Sequence, residues 1–526
     1  MSDRGFRSLL ILTFFFLPVL SSAQVHPWIQ TDRQEFLWMN EMKLRYPGSF
    51  SPFESYPADW SVWLEDHQVN LPTMVDAWNQ QLRSDYVKRN ADEPGLLHGL
   101  LYGSLQSMTK PEFDYHVRGS LYGGIWGQLG DHLLGASVLQ IDSDASHDTD
   151  YRGRWVNRVN ETRVDGYLIH KYSYLRAGWG WFDMMVGKQK LSWGATQTSS
   201  MMLSHAAPPG DLIWFRYRWK AIQLVHFFSQ MDHSTFDSSA YFQQPTELQR
   251  NLLGTRLEAR ITNRLTVAVS QTVLFPTTGF GVKLSYLNPL ITFFGERQNT
   301  GTTALDDNVS YSFDGSYRFP GLHGYGSVML DDVSIDGLVS NKIGFQAGLE
   351  WSDPLWSLPL TVGLEWTRIM PKTYTVKDAN GPLWLNYVFY SKMIDHNLKD
   401  LSAGSILGHP AGPDSWQVFY KARWWQWYPV WLELSGQYTV YGKGNLLVPD
   451  AVNGLNYQRK QFRNDSRLTA TWEYKPGMQA STWLQWIAIK NPVHQLGFRN
   501  DLLLGVTLRL DLDGAMALPD VLADIR

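Results

Sequence analysis

From about residue 96 to residue 511, apolar and polar residues alternate with a period of two, segment after segment. Val309, Tyr311, Phe313, Tyr317 and Phe319 fall on one face of such a segment, and Ser310, Ser312, Asp314, Ser316 and Arg318 on the other. Leu468, Ala470, Trp472 and Tyr474 alternate with Arg467, Thr469, Thr471 and Glu473. Leu432, Leu434, Tyr438 and Val440 likewise alternate with Glu433, Ser435, Gln437 and Thr439. In a strand, successive side chains point to opposite faces, so each of these segments is a strand with one apolar and one polar face. The segments run roughly 10 to 13 residues, the length a tilted strand needs to cross a bilayer, whereas strands of globular proteins average about five or six.

Aromatic residues recur near the segment ends: Tyr122 and Trp126, Trp179 and Trp181, Trp214 and Trp219, Trp351 and Trp356, and Trp424, Trp425 and Trp427. Rings in those places suit the two membrane interfaces of a barrel. Tight turns at Gly130-Asp131, Asn263-Arg264, Pro320-Gly321, Asp353-Pro354 and Lys475-Pro476-Gly477 alternate with long connections, roughly 191–212, 232–248, 371–413 and 442–464. Short turns alternating with long loops are the rhythm of outer-membrane hairpins. The pattern predicts an all-β chain, a large antiparallel transmembrane β-barrel of about 18 strands over residues 96–511, with 512–526 as a C-terminal tail.

Residues 24–95 lack that alternation and are expected to form a small periplasmic α-helical segment. Thr31 caps a helix with Gln34 three residues on, which continues through Phe36–Arg45 to a stop at Pro47-Gly48. A second helix is expected from Pro72, carrying Val75, Trp78, Leu82 and Tyr86 at helical spacing. Before these, Arg4 and Arg7, the apolar run Leu9–Leu20 and the small residues Ser21-Ser22-Ala23 read as a signal peptide over residues 1–23. The run is short for a membrane-spanning helix.

Composition sharpens this picture. Aromatics reach 14%, with 24 Trp and 25 Tyr, while charged residues make up 18%. Removing residues 1–23 takes away Arg4, Arg7 and Asp3, which moves the net charge from −4 to −5. That balance gives no footprint for a nucleic-acid partner. With Cys at 0, disulfides and thiolate metal sites are excluded. The sequence contains no HExxH, no Gly-x-Ser-x-Gly and no P-loop, so an enzyme is not expected, and neither is a cofactor or a metal. The pairs Asp306-Asp307 and Asp331-Asp332 supply too few oxygens for a calcium site.

Three stretches carry a family resemblance. The first runs from Val186-Gly187-Lys188-Gln189-Lys190-Leu191-Ser192-Trp193-Gly194 on to Ser199-Ser200-Met201-Met202-Leu203-Ser204-His205-Ala206-Ala207-Pro208. The second is Gly408-His409-Pro410-Ala411-Gly412-Pro413-Asp414-Ser415, preceded by Tyr390. The third is Asn288-Pro289, followed by Tyr325-Gly326 and Asp331-Asp332. In order and spacing the chain resembles the Wzi family of capsule-assembly outer-membrane proteins over most of its length. It departs in having Trp193 alone, followed by Gly194-Ala195, where the family usually shows a double Trp and Gly-Pro-Gly.

The resemblance implies an eighteen-stranded barrel with a periplasmic helical bundle. It also implies a lectin-like, non-catalytic role: binding exported capsular or extracellular polysaccharide and helping to attach or assemble it at the cell surface. Localisation to the outer membrane follows, with outer-membrane lipid and lipopolysaccharide as surroundings, and a monomer is expected. The alternative is a porin or substrate-specific channel with a wet, polar lumen.

A sugar site needs flat aromatic faces and convergent donors and acceptors. The candidates are Lys188, Gln189, Lys190, Trp193, Gln197 and Ser200 in the first stretch, His409, Asp414 and Trp416 around the second, and Arg216. Lys188, Lys190 and Arg216 would pair with carboxylates of an acidic glycan. The competing reading is that these turns fold into the lumen and satisfy one another. N-terminal sequencing of protein recovered from outer membranes is expected to begin at Gln24; a start at Met1 would instead indicate a retained anchor.

Overall fold

The computed structural model describes residues 28–29, 34–46, 54–59, 96–109, 115–129, 132–143, 166–207, 209–236, 246–277, 284–293, 307–332, 342–355, 357–374, 406–427, 429–442, 459–475, 478–492 and 496–517. Among the described residues one α-helix, α1, spans Gln34–Arg45. The first five barrel strands are β1 (Leu96–Thr109), β2 (Tyr115–Leu129), β3 (Leu133–Ser143), β4 (Gly166–Trp179) and β5 (Phe182–Gln189). Next come β6 (Gly210–Trp219), β7 (Ile222–Phe236), β8 (Thr246–Arg260), β9 (Leu265–Thr277), β10 (Asn308–Phe319), β11 (Leu322–Asp332) and β12 (Lys342–Ser352). The last six are β13 (Leu360–Ile369), β14 (Ser415–Trp424), β15 (Val430–Tyr441), β16 (Gln461–Lys475), β17 (Met478–Lys490) and β18 (Phe498–Ala517).

Each strand pairs antiparallel with its neighbours in the chain, and β18 pairs with β1, so the eighteen strands close into a ring. Closure is what lets strands cross lipid, because an open edge would leave backbone N–H and C=O groups without partners. β18 shows how the ring is made. Its residues from Phe498 to Leu510 pair with β17, and those from Leu504 to Ala517 pair with β1. The offset is the stagger that a tilted barrel requires. It also moves the end of the barrel from the expected residue 511 to Ala517, so the first six residues of the expected 512–526 tail belong to the closing strand. Leu510 and Leu512 alternate with Asp511 and Asp513, but Gly-Ala-Met-Ala after them offers little contrast between faces, which hid the continuation.

The alternation sets the two faces as expected. On β10, Phe313 is 51% exposed on the outer wall, with Tyr317 and Phe319, while Ser310, Ser312, Ser316 and Arg318 are buried inside. The aromatic belt is sparser than the sequence suggests. Trp181, Trp219, Trp424 and Trp427 are exposed at strand ends. Trp214 and Trp425 are buried, and Tyr122 and Trp126 pack against the same internal core as Trp214. These four rings sit inside because the lumen is filled and needs apolar packing of its own.

The strands also reach further than expected into the 232–248 connection, since β7 continues to Phe236 and β8 starts at Thr246. Pro320-Gly321 is the expected tight turn, closing Phe319 onto Leu322, whereas Asn263-Arg264 and Asp353-Pro354 lie in longer connections between the paired positions Arg260 and Thr266 and Ser352 and Thr361. The expected signal peptide, the second helix from Pro72, Gly130-Asp131, Pro476-Gly477 and Trp356 lie outside the described residues.

Two parts of the chain enter the lumen from opposite ends. At the short-turn end, α1 and residues 54–59 dock against β10–β13. Leu44 O accepts from Gly321 N at 3.0 Å, a close approach made at a glycine with φ +76°. Arg45 bonds Glu41 at 2.8 Å and donates to Asp353 O, while Glu41 accepts from Ser352 and Thr361 hydroxyls at 3.1 and 2.6 Å. From the long-loop end, residues 190–207 descend as a hairpin. The two meet in the bore, where Ser55 and Tyr56 pair antiparallel with Trp193 and Ser192. On the outside, residues 284–293 fold over the wall and bury Val273 and Phe275 beneath Tyr286 and Phe293.

Glu54 holds this junction electrostatically. Arg318 Nε donates to it at 3.1 Å. Burial pushes its carboxyl up, but the charges of Arg318, Lys43 and His323 and the Arg318 hydrogen bond outweigh that and hold it at about 2. A carboxyl below its ordinary value near 4.3 stabilises the folded state above that value and loses the contribution as pH falls toward about 2. Protease protection of residues 54–59 is therefore expected to be constant from pH 8 to 5 and to fall between about pH 4.5 and 2. In Glu54→Gln, protection should be weaker at neutral pH and flatter across that window.

Candidate functional site

The internal hairpin is built from its own backbone first. Trp193 N donates to Leu203 O at 3.1 Å, and Gly194, with φ +98°, turns the chain and donates to Glu54 O at 3.1 Å. Trp193 packs edge-on against Phe227 at 5.5 Å between ring centroids. It fits over Gly254 because a Cβ there would lie 2.8 Å from the indole and 2.5 Å from Phe227. Met201, Met202 and Leu203 bury themselves with Trp214, Val225, Leu252 and Met329 of the wall. The small-and-apolar run of the first sequence stretch is thus the hydrophobic core of a plug.

The polar tip of the hairpin closes on one carboxylate. Glu365 of β13 is 1% exposed and accepts from Thr196 Oγ1 at 3.0 Å, Gln197 N at 2.8 Å, Thr198 Oγ1 and Tyr325 OH. A buried charge is tolerable only with its lone pairs satisfied, and four neutral donors do so here. Gln346 Nε2 adds bonds to Thr196 Oγ1 at 3.2 Å and Ser199 O at 2.9 Å. Glu365 did not stand out in the sequence, because it is one inward residue among the many polar positions of an alternating strand. Its hairpin partners lie 167–169 residues away and Tyr325 40 residues away, beyond any local pattern.

The second stretch seals the plug at the long-loop end. Leu407 O accepts from Ser204 N at 2.8 Å, and Tyr374 OH donates to Met201 O at 2.6 Å and accepts from His409 N at 3.2 Å. His409 is fully buried, with Nε2 3.3 Å from Thr198 Oγ1 and Nδ1 accepting from Ala411 N at 3.2 Å. Gly412 and Asp414 take left-handed backbone conformations, φ +70° and +49°, that turn the chain into β14.

The ten sequence-predicted site residues therefore do not share one surface. Gln189, Trp193, Ser200 and His409 are buried within the plug and its supports, and Gln197 is tied to Leu349 O and Leu364 O as well as Glu365. Arg216 is buried at the short-turn side, bonded to Asp183 at 2.9 Å, and Asp183 also takes Arg176 at 2.7 Å. Packing and internal hydrogen bonds occupy these six side chains in the structure. The long-loop rim holds the other four. Lys190 reaches back to His205 O at 3.1 Å, Lys188 pairs with Asp211 at 3.1 Å, and Asp414 lies 4.0 Å from Arg368. Trp416 packs on Tyr438 at 5.4 Å. Among the described residues no group of three or more His, Asp or Glu is gathered as a metal site would need.

A closed antiparallel barrel with an apolar outside and a lumen filled by its own chain defines the class of plugged transmembrane β-barrels. The chain belongs to the capsule assembly protein Wzi family, whose model matches residues 113–503. Among solved structures it is similar to Wzi of Escherichia coli, described as an outer-membrane protein involved in group 1 capsule assembly and a carbohydrate-binding β-barrel. The two share 12% identity over 93% of this chain and 99% of that one, with a TM-score of 0.58. The outer-membrane protein OpdK of Pseudomonas aeruginosa superposes less closely, at 7% identity over 80% and 99% of the two chains, with a TM-score of 0.45. No curated protein sequence matches the chain.

Removing the Glu365 side chain strands four donors in the interior. Glu365→Ala is expected to cost about 3 kcal/mol or more, since each orphaned buried group costs roughly 1–3 kcal/mol. The measurable result is a barrel that still shows heat-modifiable gel migration but is cleaved by protease within residues 194–204 and passes steady ion current in planar bilayers. A wild type already as conductive as this variant would contradict the latch.

Proposed function

We propose that this protein binds exported capsular or extracellular polysaccharide at the outer face of the outer membrane and helps to assemble it there, without catalysing a reaction on it. The observation that carries the reading is the hairpin 190–207, which occupies the lumen of a member of a capsule assembly family. A channel protein keeps its polar inner wall wet, whereas here Ser310, Ser312, Gln346 and Glu365 are buried, and the last two bond the hairpin. What remains for a large ligand is the rim.

With the short turns toward the periplasm, as is general for such barrels, α1 lies on the periplasmic side and the rim formed by β5, β6, β13, β14 and β15 faces outward. Lys188, Lys190, Asp414 and Trp416 are the proposed contacts. Trp416 with Tyr438 supplies an aromatic surface for sugar rings, and the two lysines suit acidic units. The protein works as a monomer, with lipid and lipopolysaccharide around its wall.

The test is binding of the purified, detergent-solubilised protein to surface polysaccharide from its source organism. Saturable binding is expected, weakened about tenfold or more by Trp416→Ala combined with Lys188→Ala, both of which leave the plug intact. Trp193→Ala is expected to act differently, costing about 3–5 kcal/mol of stability as a core truncation. Absence of polymer binding by a folded barrel, together with steady single-channel conductance in the wild type, would favour the channel reading instead.

A further inference from the structure

The plug does not fill the lumen completely. Between α1, the hairpin tip and the inner faces of β10–β15 lies a cavity of about 390 Å³. That is room for about thirteen waters at ~30 Å³ each, and it lies within the ~300–1,000 Å³ range of small-ligand sites. Its lining is unusually polar, yet charge-balanced and already paired. Arg318 bonds Glu54 at 3.1 Å, Lys421 bonds Glu350 at 3.1 Å, and Arg423 bonds Glu433 at 2.7 Å. Lys43 and Glu41 of α1 add one charge of each sign.

Two lining residues keep a buried acceptor without a hydrogen-bond partner among the described residues, Gln197 at Oε1 and His323 at Nε2. His323 lines the cavity, is 3% exposed and uses Nδ1 on Glu350 at 3.1 Å, while its Nε2 has no hydrogen-bond partner among the described residues. If Nδ1 carries the proton toward the carboxylate, Nε2 of the neutral ring is an acceptor. Its missing partner must donate, which a hydroxyl does and a carboxylate does not. Lys421 spends one of its three N–H donors on Glu350, so the same hydroxyl-bearing ligand would find donors nearby. An anionic ligand would have to break an existing ion pair in a desolvated place, which is costly. Tyr56 and Phe419 complete the lining with two aromatic rings.

We infer that this cavity is a second binding site, for a single neutral sugar unit or similar polyol. Paired charges supply donors and acceptors to ring hydroxyls, His323 accepts from one of them, and the aromatic rings cover apolar C–H faces. Asn40, exposed on α1, borders the cavity, so the ligand reaches it from the short-turn end, opposite the rim. The site is separate from the rim contacts, and the inference stands independently of polymer binding there.

The experiment is isothermal titration of the full chain in detergent with D-glucose, D-galactose and D-mannose, and with D-glucuronate as the charged comparison. Saturable one-to-one binding of at least one neutral hexose is expected, weakened tenfold or more by Ser435→Trp, which fills the cavity. Asn40→Trp, at an exposed position where folding is not at stake, should weaken it as well. Lys188→Ala should leave it unchanged. Heat-modifiable migration verifies that each variant is folded, and if Ser435→Trp is not, Asn40→Trp decides alone. No saturable binding of any of the three hexoses overturns the inference, as does binding indifferent to the folded cavity variants. So does preference for glucuronate, or loss of hexose binding in Lys188→Ala.

Discussion

The need to pair every backbone polar group within lipid governs this molecule. Strands can satisfy that need only by closing the sheet, and closing it at a tilt forces a stagger. β18 bears the stagger, bonding β17 along its first part and β1 along its second. Closure then fixes everything inside. A ring of eighteen strands encloses more space than its inward side chains can fill, so the polar inner wall must be either wet or packed against other chain. This protein uses α1, residues 54–59 and the 190–207 hairpin, and the buried ion pairs and the Glu365 anchor follow from that choice.

Because the filling is protein, the inner wall obeys interior rules on one side of the bore. Arg256 lies between Asp314 and Glu258, at 2.6 Å from the first, and is almost fully buried. Groups like these are tolerable only as matched sets, since removing one member leaves a charge without its counterpart.

The sequence displayed the parts that lipid dictates. On β10 each outward aromatic and each inward serine falls where alternation puts it, because hydrocarbon on one side leaves no latitude. The helix over Gln34–Arg45 was also readable, from Thr31 and Gln34 at one end and Pro47-Gly48 at the other. The interior was much less legible. Met185, Trp214, Phe227 and Met329 point inward yet are apolar, since each faces the hairpin, and nothing near them in sequence announces that partner. For the same reason Trp193 looked like a sugar platform: an isolated Trp in a glycine-bearing loop looks the same whether it is offered to solvent or inserted over Gly254. Outward-facing Val273 and Phe275 are another case, buried by a segment that folds back over the wall.

The ring's seam joins residues 96–109 to residues 504–517, the most distant pairing in the barrel. The hairpin and the Ser55–Tyr56 bridge both lie inside the finished ring. Contacts of such long sequence separation form late, because the chain entropy of bringing them together is lost before they repay it. The order of assembly is therefore constrained as in coopering: the contents must be in place, or at least threaded between the staves, before the last joint shuts. Machinery that inserts this protein into a membrane has to hold an open sheet while its own N-terminal segment finds its seat.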